Sequence, residues 1–307
     1  MVLNNVRDFV EANNVDAEFK YTTTFDVCLS QIFADHQARS LAAYGAVGGD
    51  TSHVKFYDGY EAKLKTRVPN AICAYEWPAA SNHPAKLTHW ILNDIISKGV
   101  RLWTHCPVTR VFRHQGSSES NMRWAAHTPR GIIAAETVIH CTNAYAAFLL
   151  PELARFITPR RAQAHSFVPP LSASGEKVLR PTISLRYNLH HFFSVNQILG
   201  SGTFVLGGSS TRNETDSSPQ LVAATVSFDD SKHCETFAQN SRREFLDLFP
   251  YPEGVTARPG EGFDQVWTGI LGMTPDSVPL VGPIDGLEGQ WICAGFNGHG
   301  KHVQNLF

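Results

Sequence analysis

The sequence predicts an α/β chain of α+β character, built in two parts. Three observations carry this. Residues 84–97 repeat apolar side chains at helical spacing. Short β-branched apolar runs at 137–141 and 291–294 end in small-residue loops, the pattern of strands buried in a parallel sheet. From Ile157 the texture changes to short strands separated by turn residues, which suits an antiparallel sheet with flanking helices.

Taken in order, Val6, Phe9 and Val10 stand at helical spacing, so an amphipathic helix opens the chain. Pro84 marks the start of a second helix, whose apolar face is Leu87, Trp90, Ile91 and Ile95 and whose stop is Gly99. Val100–Arg113 reads as one strand and Gly116–Asn121 as a polar turn. Trp124–Thr128 and Gly131–Ala135 flank Pro129-Arg130 as a hairpin, and Thr137–Cys141 is a short buried strand. Beyond Ile157, Ala164–Val168, Thr182–Arg186, His191–Val195 and Thr203–Leu206 are expected to be short strands, the last three pairing. Asn213–Pro219 reads as a loop, Ser231–Leu248 as a long amphipathic helix and Trp291–Ala294 as a second buried strand. The glycines and prolines of Trp267–Gly282 imply a compact folded loop.

With 307 residues, 43% of them hydrophobic, the chain is long enough to bury a sizeable core without a metal or disulfide staple. A net charge of −2 points to no nucleic-acid or anionic-membrane partner. The six cysteines are scattered without a C-x-x-C pair, so no metal site or disulfide framework is expected and a reducing compartment fits better. The N-terminal stretch carries acids and no long apolar run, neither a secretory signal nor a membrane span, which leaves a cytoplasmic location as the default.

Two segments bear on chemistry. Gly295-Phe296-Asn297-Gly298-His299-Gly300-Lys301 follows an apolar strand directly. Such a turn lets backbone approach a flat ring or a phosphate, and a helix starting there would add free N–H groups. A plain strand-to-helix turn reads equally well from spacing alone. Cys141-Thr142-Asn143-Ala144 is a small polar loop after a buried strand, where open α/β sheets bind ligands. Of the 14 histidines, His190 and His191 would point to opposite faces of a strand and make a poor chelate, whereas His299 sits in the glycine-rich turn.

Together these segments resemble the FAD-dependent amine oxidoreductases, the family of D-amino-acid, glycine and sarcosine oxidases, in the flavour of gamma-glutamylputrescine oxidase and fungal FAD-dependent oxidoreductases. The family pattern "ATNAY", "LLP", "I-x-P-x-R-G-Q" is matched by Cys141–Tyr145, Leu149–Pro151 and Ile157–Gln163. Its "W-x-G-x-x-G-x-T-x-D-x-x-P-x-V-G" is matched by Trp267–Gly282, its "AGF-S/N-GHG" by Ala294–Gly300, and its "T-x-T-P-V" by Thr104–Val108. The resemblance implies a partial FAD-binding sheet over residues 1–156 and 260–307. It also implies an antiparallel substrate domain over 157–259, to which parts of 20–75 are added. It implies cofactor contacts at Val108, Cys141, Thr142, Asn143, Ala144, Gly295, Phe296, Asn297, Gly298, His299, Gly300 and Lys301. Arg161, Gln163, Trp267 and Met273 become substrate-side candidates, and no catalytic residue is singled out.

The chain departs from the pattern as well. No G-x-G-x-x-G occurs, and Gly45-Ala46-Val47-Gly48-Gly49 has the wrong spacing and no buried strand before it. Ala162 stands where a glycine is usual, Lys301 where an apolar residue is commoner, and little of the family's last helix follows Gly300. Without a pyrophosphate turn the isolated chain is expected to hold FAD weakly or not at all. An uncovered sheet edge would then be covered by the N-terminal helix, by self-association or by a partner chain. Two functions follow: an FAD-dependent oxidoreductase of a small amine or amino acid, or a flavin-free descendant (pseudoenzyme, binding protein, isomerase or cyclase) using the old substrate pocket.

Overall fold

The computed structural model describes residues 2–115, 122–189, 191–208, 225–251 and 254–298. Its main body is an eight-stranded sheet that draws on distant parts of the chain. The strands are β1 (Lys20–Cys28), β2 (Lys55–Tyr57), β3 (Cys73–Ser81), β8 (Thr158–Val168), β9 (Thr182–Arg186), β10 (Phe192–Gln197), β11 (Phe204–Gly208) and β12 (Gly262–Met273). Their spatial order is β12-β8-β11-β10-β9-β1-β3-β2. All neighbours are antiparallel except β1 and β9, which run parallel with Asp26 opposite Ser184. The sheet is therefore mixed, where the sequence suggested an antiparallel one.

Two small sheets stand beside it: β13 (Leu280–Pro283), β14 (Gln290–Ala294) and β7 (Val138–His140) in the order β13-β14-β7, and β4 (Arg110–Arg113), β5 (Trp124–Thr128) and β6 (Gly131–Ala135) as a meander. The helices are α1 (Val2–Ala12), α2 (Gln31–Ala46), α3 (Gly59–Thr66), α4 (Pro84–Ser97), the short α5 (Ala146–Leu149) and α6 (Glu235–Leu248). None among the described residues is long and apolar enough to cross a membrane.

Alternation along the strands gives the large sheet two unlike faces. One carries Phe25, Val27, Phe167, Ile183, Leu185, Phe193, Phe204 and Leu206, all buried, and forms the core with Phe245 and Leu248 of α6. Phe167 stacks on Phe245 with ring centroids 4.4 Å apart. The start of α6 is held by one amide side chain: Gln163 Oε1 accepts from the Cys234 N–H at 2.8 Å, and its Nε2 donates to the Cys234 carbonyl at 3.1 Å. The other face is polar at many positions and is partly roofed by α2, whose Phe33 and Ala34 pack on Cys28, Cys73 and Tyr75.

Several readings need correction. Val100–Arg113 is not one strand: only Arg110–Arg113 pairs, because Gly99 and His105 take positive φ (96° and 53°) and Pro107 has no N–H to donate. Trp267–Gly282 is not mainly a loop. Its first half completes β12, the longest strand, and its second half begins β13, with a turn only between Thr274 and Pro279. The helix expected from Ser231 begins at Glu235. The glycines at 45–49 close α2, with Gly48 at a φ of 86°. Helix α1 does not cover the β7–β14 sheet, whose Ile139 and Trp291 stay exposed. It packs on α4 through Val6, Val10, Leu87 and Trp90, with Phe9 edge-on to Trp90 at 5.7 Å. The turn at 116–121, the loop at 213–219 and His190 lie outside the described residues.

Two stability predictions follow. Phe245→Ala should cost about 3–5 kcal/mol in chemical denaturation, because it removes a ring buried between Phe167 and Phe204. His165 is buried, and burial depresses its pKa from 6.5 to about 4. Its unfolded form therefore binds the proton first, so its contribution is complete above pH 6.5 and is lost as pH falls toward about 4. The urea midpoint of the native protein should drop through that window, and the drop should be smaller in His165→Gln. An equal drop in both proteins would show that another group governs it.

Candidate functional site

Strands β7 and β14 lie side by side and parallel, Ile139 opposite Trp291 and His140 opposite Ile292. His140, Ile292 and Gln290 face inward, and His140 Nε2 meets Gln290 Oε1 at 2.7 Å. The two parallel strands end on the same side, β14 running two residues past the partner of His140, so the loops Cys141–Ala144 and Gly295–Gly298 emerge near one another, at the position where open α/β sheets form a ligand crevice.

What joins the loops is the side chain of Asn143. Its Oδ1 accepts from the backbone N–H groups of Gly295 at 3.0 Å and Phe296 at 3.2 Å. Asn143 opens a 3₁₀ turn with a φ of 47°, a conformation asparagine tolerates better than most residues. A third segment enters from the end of β12. Asn297 Oδ1 accepts from the Thr274 N–H at 2.8 Å, and its Nδ2 donates to Thr274 Oγ1 at 2.9 Å and to the Gly295 carbonyl at 2.7 Å. The Asn297 N–H donates to the Gly272 carbonyl at 2.9 Å. Two glycines make this approach possible. A Cβ on Gly272 would stand 2.8 Å from Asn143 Oδ1, and one on Gly295 would stand 2.7 Å from Thr274 Cγ2.

The three motifs singled out in the sequence thus meet at one junction, and Gly272 and Thr274, positions of the Trp267–Gly282 match that were not named as site residues, join it. Cys141 sits at its rim, exposed on one side, with partial desolvation of its sulfur and the neighbouring Cys293 pushing its thiol above the usual range. Val108 lies in the segment before β4, and no hydrogen bond among the described residues ties it to the junction. His299, Gly300 and Lys301 lie outside the described residues.

The substrate-side candidates divide between the two faces of the large sheet. Arg161 and Gln163 point to the helix-covered face, where Arg161 donates to the Asp229 carbonyl at 3.3 Å and Gln163 anchors α6. Trp267, paired with Ala164, and Met273, paired with Thr158, belong to the other, open face. That face also holds a cavity of about 600 Å³, roofed by Val6 of α1 and floored by Thr24, Trp77, Ser184, Ser194 and Asn196. Next to it Asp26 is buried. Burial raises the pKa of its carboxyl, and the Arg186 guanidinium 3.5 Å away opposes that rise.

The junction suits the flat, uncharged parts of FAD. Among the described residues it offers small side chains, glycine backbone and no charged group, and a Cβ on Gly298 would meet nothing closer than Leu271 at 3.7 Å. Donors for the pyrophosphate are a separate matter, since the amides of Gly295, Phe296 and Asn297 are already engaged within the protein.

Asn143→Ala should leave two amides without their acceptor and cost about 2–5 kcal/mol in total. Asn143→Asp keeps an acceptor and should cost less. Amide hydrogen exchange at Gly295 and Phe296 should accelerate in the alanine variant, and unchanged exchange there would contradict the role given to Asn143.

A sequence search of curated proteins finds no match. Among solved structures, L-proline dehydrogenase from P. horikoshii is similar at a TM-score of 0.72 and 20% identity, over 98% of this chain and 74% of that one. Glycine oxidase from Geobacillus kaustophilus matches at 0.72 and 17%, over 98% and 72%. Iminodiacetate oxidase from Chelativorans sp. BNC1 matches at 0.71 and 15%, over 98% and 75%. At these identities the structures share the fold. The family model for FAD dependent oxidoreductases matches residues 3–302, nearly the whole sequence, and the chain belongs to that family.

Proposed function

We propose that this FAD-dependent oxidoreductase acts on a small amine or an amino-acid-like molecule held against the open face of the large sheet. The observation that carries the reading is the junction itself: two parallel strand ends and the end of β12 locked together by Asn143 and Asn297. Structural neighbours named for proline, glycine and iminodiacetate support the substrate class. In this reading the loops Cys141–Ala144 and Gly295–Gly298, with Val108, His299, Gly300 and Lys301, border the cofactor. Residues 1–156, apart from parts of 20–75, and residues 260–307 form the cofactor side. Residues 157–259, with those parts of 20–75, form the substrate side.

FAD, when bound, accepts a hydride from the carbon that bears the amine. The residues of this chain have the remaining tasks. The Asn143 lock fixes the backbone beside the cofactor so that it needs no rearrangement during reaction. Trp267 and Met273 supply apolar surface on the open face, which excludes water from the reacting carbon. Six free cysteines fit a reducing compartment such as the cytosol.

The protein reconstituted with FAD should lose its oxidised-flavin absorbance when an amine substrate is added without oxygen. Asn143→Ala should weaken flavin retention by about tenfold, the equivalent of roughly 1.4 kcal/mol. Stoichiometric flavin that no amine or amino acid can bleach would sink the proposal.

A further inference from the structure

We infer, resting on the reading above, that the non-reacting part of the substrate is uncharged. The protein takes an amine whose remainder is apolar or amide-bearing, rather than an α-amino acid with a free carboxylate. The cavity on the open face is about 600 Å³, room for a molecule well beyond the simplest amino acids. Among the described residues no charged side chain lines it. Its polar side chains are hydroxyls and carboxamides, among them Thr24, Ser184, Ser194 and Asn196, set beside the Trp77 indole. The Ser184 hydroxyl is buried in the cavity floor, beside its register partner Asp26.

The charges nearest the cavity do not change its character. Asp26 is the register partner of Ser184, one step outside the lining, and it faces Arg186 at 3.5 Å. Arg186 also lies over the rings of Phe192 at 4.6 Å and Phe33 at 6.0 Å, so its position is set by these three partners. Toward the junction the open face of β12 presents Trp267, Leu271 and Met273, with the exposed Arg160 across from Leu271 and outside the lining. A carboxylate entering the cavity would give up its water without gaining a counter-charge, whereas an amide would find donors and acceptors of its own kind.

The test compares an acid with its amide. Phenylglycinamide and phenylglycine are titrated into the FAD-reconstituted full chain by calorimetry, and flavin bleaching is followed in parallel. The amide should bind at least about tenfold more tightly, and Ser194→Arg, which places a cation in the cavity, should shift the preference toward the acid. An acid that binds as tightly as its amide, or loses affinity in Arg160→Gln, overturns the inference while leaving amine oxidation standing. Failure of both ligands to bind overturns it too. Preference for the amide without bleaching by any amine keeps the inference and sinks the oxidation reading.

Discussion

One carboxamide, that of Asn143, locks the loop after β7 to the loop after β14, and a second, that of Asn297, ties this pair to the end of β12, where the large sheet hands its chain to the β7–β14 sheet. Two features are forced by that interaction. Gly272 must be a glycine because the Asn143 carboxamide occupies the space of a side chain there, and Gly295 must be one because Thr274 does the same. Asn297 then ties Thr274 to the Gly295 carbonyl, so the carboxamide, the Thr274 N–H and hydroxyl and the Gly295 carbonyl all meet partners. Replacing any one member leaves the others buried without their bonds, which couples the residues far more tightly than their separation along the chain suggests.

The large sheet answers a different constraint. Its helix-covered face is apolar and close-packed, whereas its open face is made of serine, threonine, asparagine and a buried acid–base pair. An ordinary domain would bury both faces in apolar contacts or leave one to solvent. Here the polar face is half roofed by α1 and α2, and the space left over becomes the cavity.

Much of this could be read from the sequence where the signal was local. Helix α4 followed from Pro84, four apolar positions and Gly99. The hairpin of β5 and β6 followed from Pro129-Arg130 between apolar runs. The closeness of the Cys141–Ala144 and Gly295–Gly298 loops was implied by the family resemblance, which sets both beside the cofactor. What escaped was set by distant partners. Val100–Arg113 looks like a strand, but no strand among the described residues pairs with its first nine residues. Gly269 and Gly272 make β12 look like a loop, yet the strand forms because β8 supplies a full ladder of partners. The alternation in Thr22–Cys28 was a fair strand signal that the reading passed over. The faces of Arg161 and Gln163 could not be assigned without the register, since a shift of one residue exchanges inside and outside.

The parallel pairing of β1 with β9 has a consequence for how the chain reaches its native state. Thr22 donates to the carbonyl of Arg180, a partner 158 residues away. The first strand of the sheet leaves the ribosome long before the strand it must pair with, and β12, which closes the other edge, is made later still. Until then the Thr-rich edge of β1 and the ring of Phe25 have only β3 and nearby helices for company. Such a topology is slow to nucleate, since a long loop must close before its contacts form. The first eighty residues are thus committed to waiting on the rest of the chain, and in a cell that interval is when a chaperone would have the most to bind.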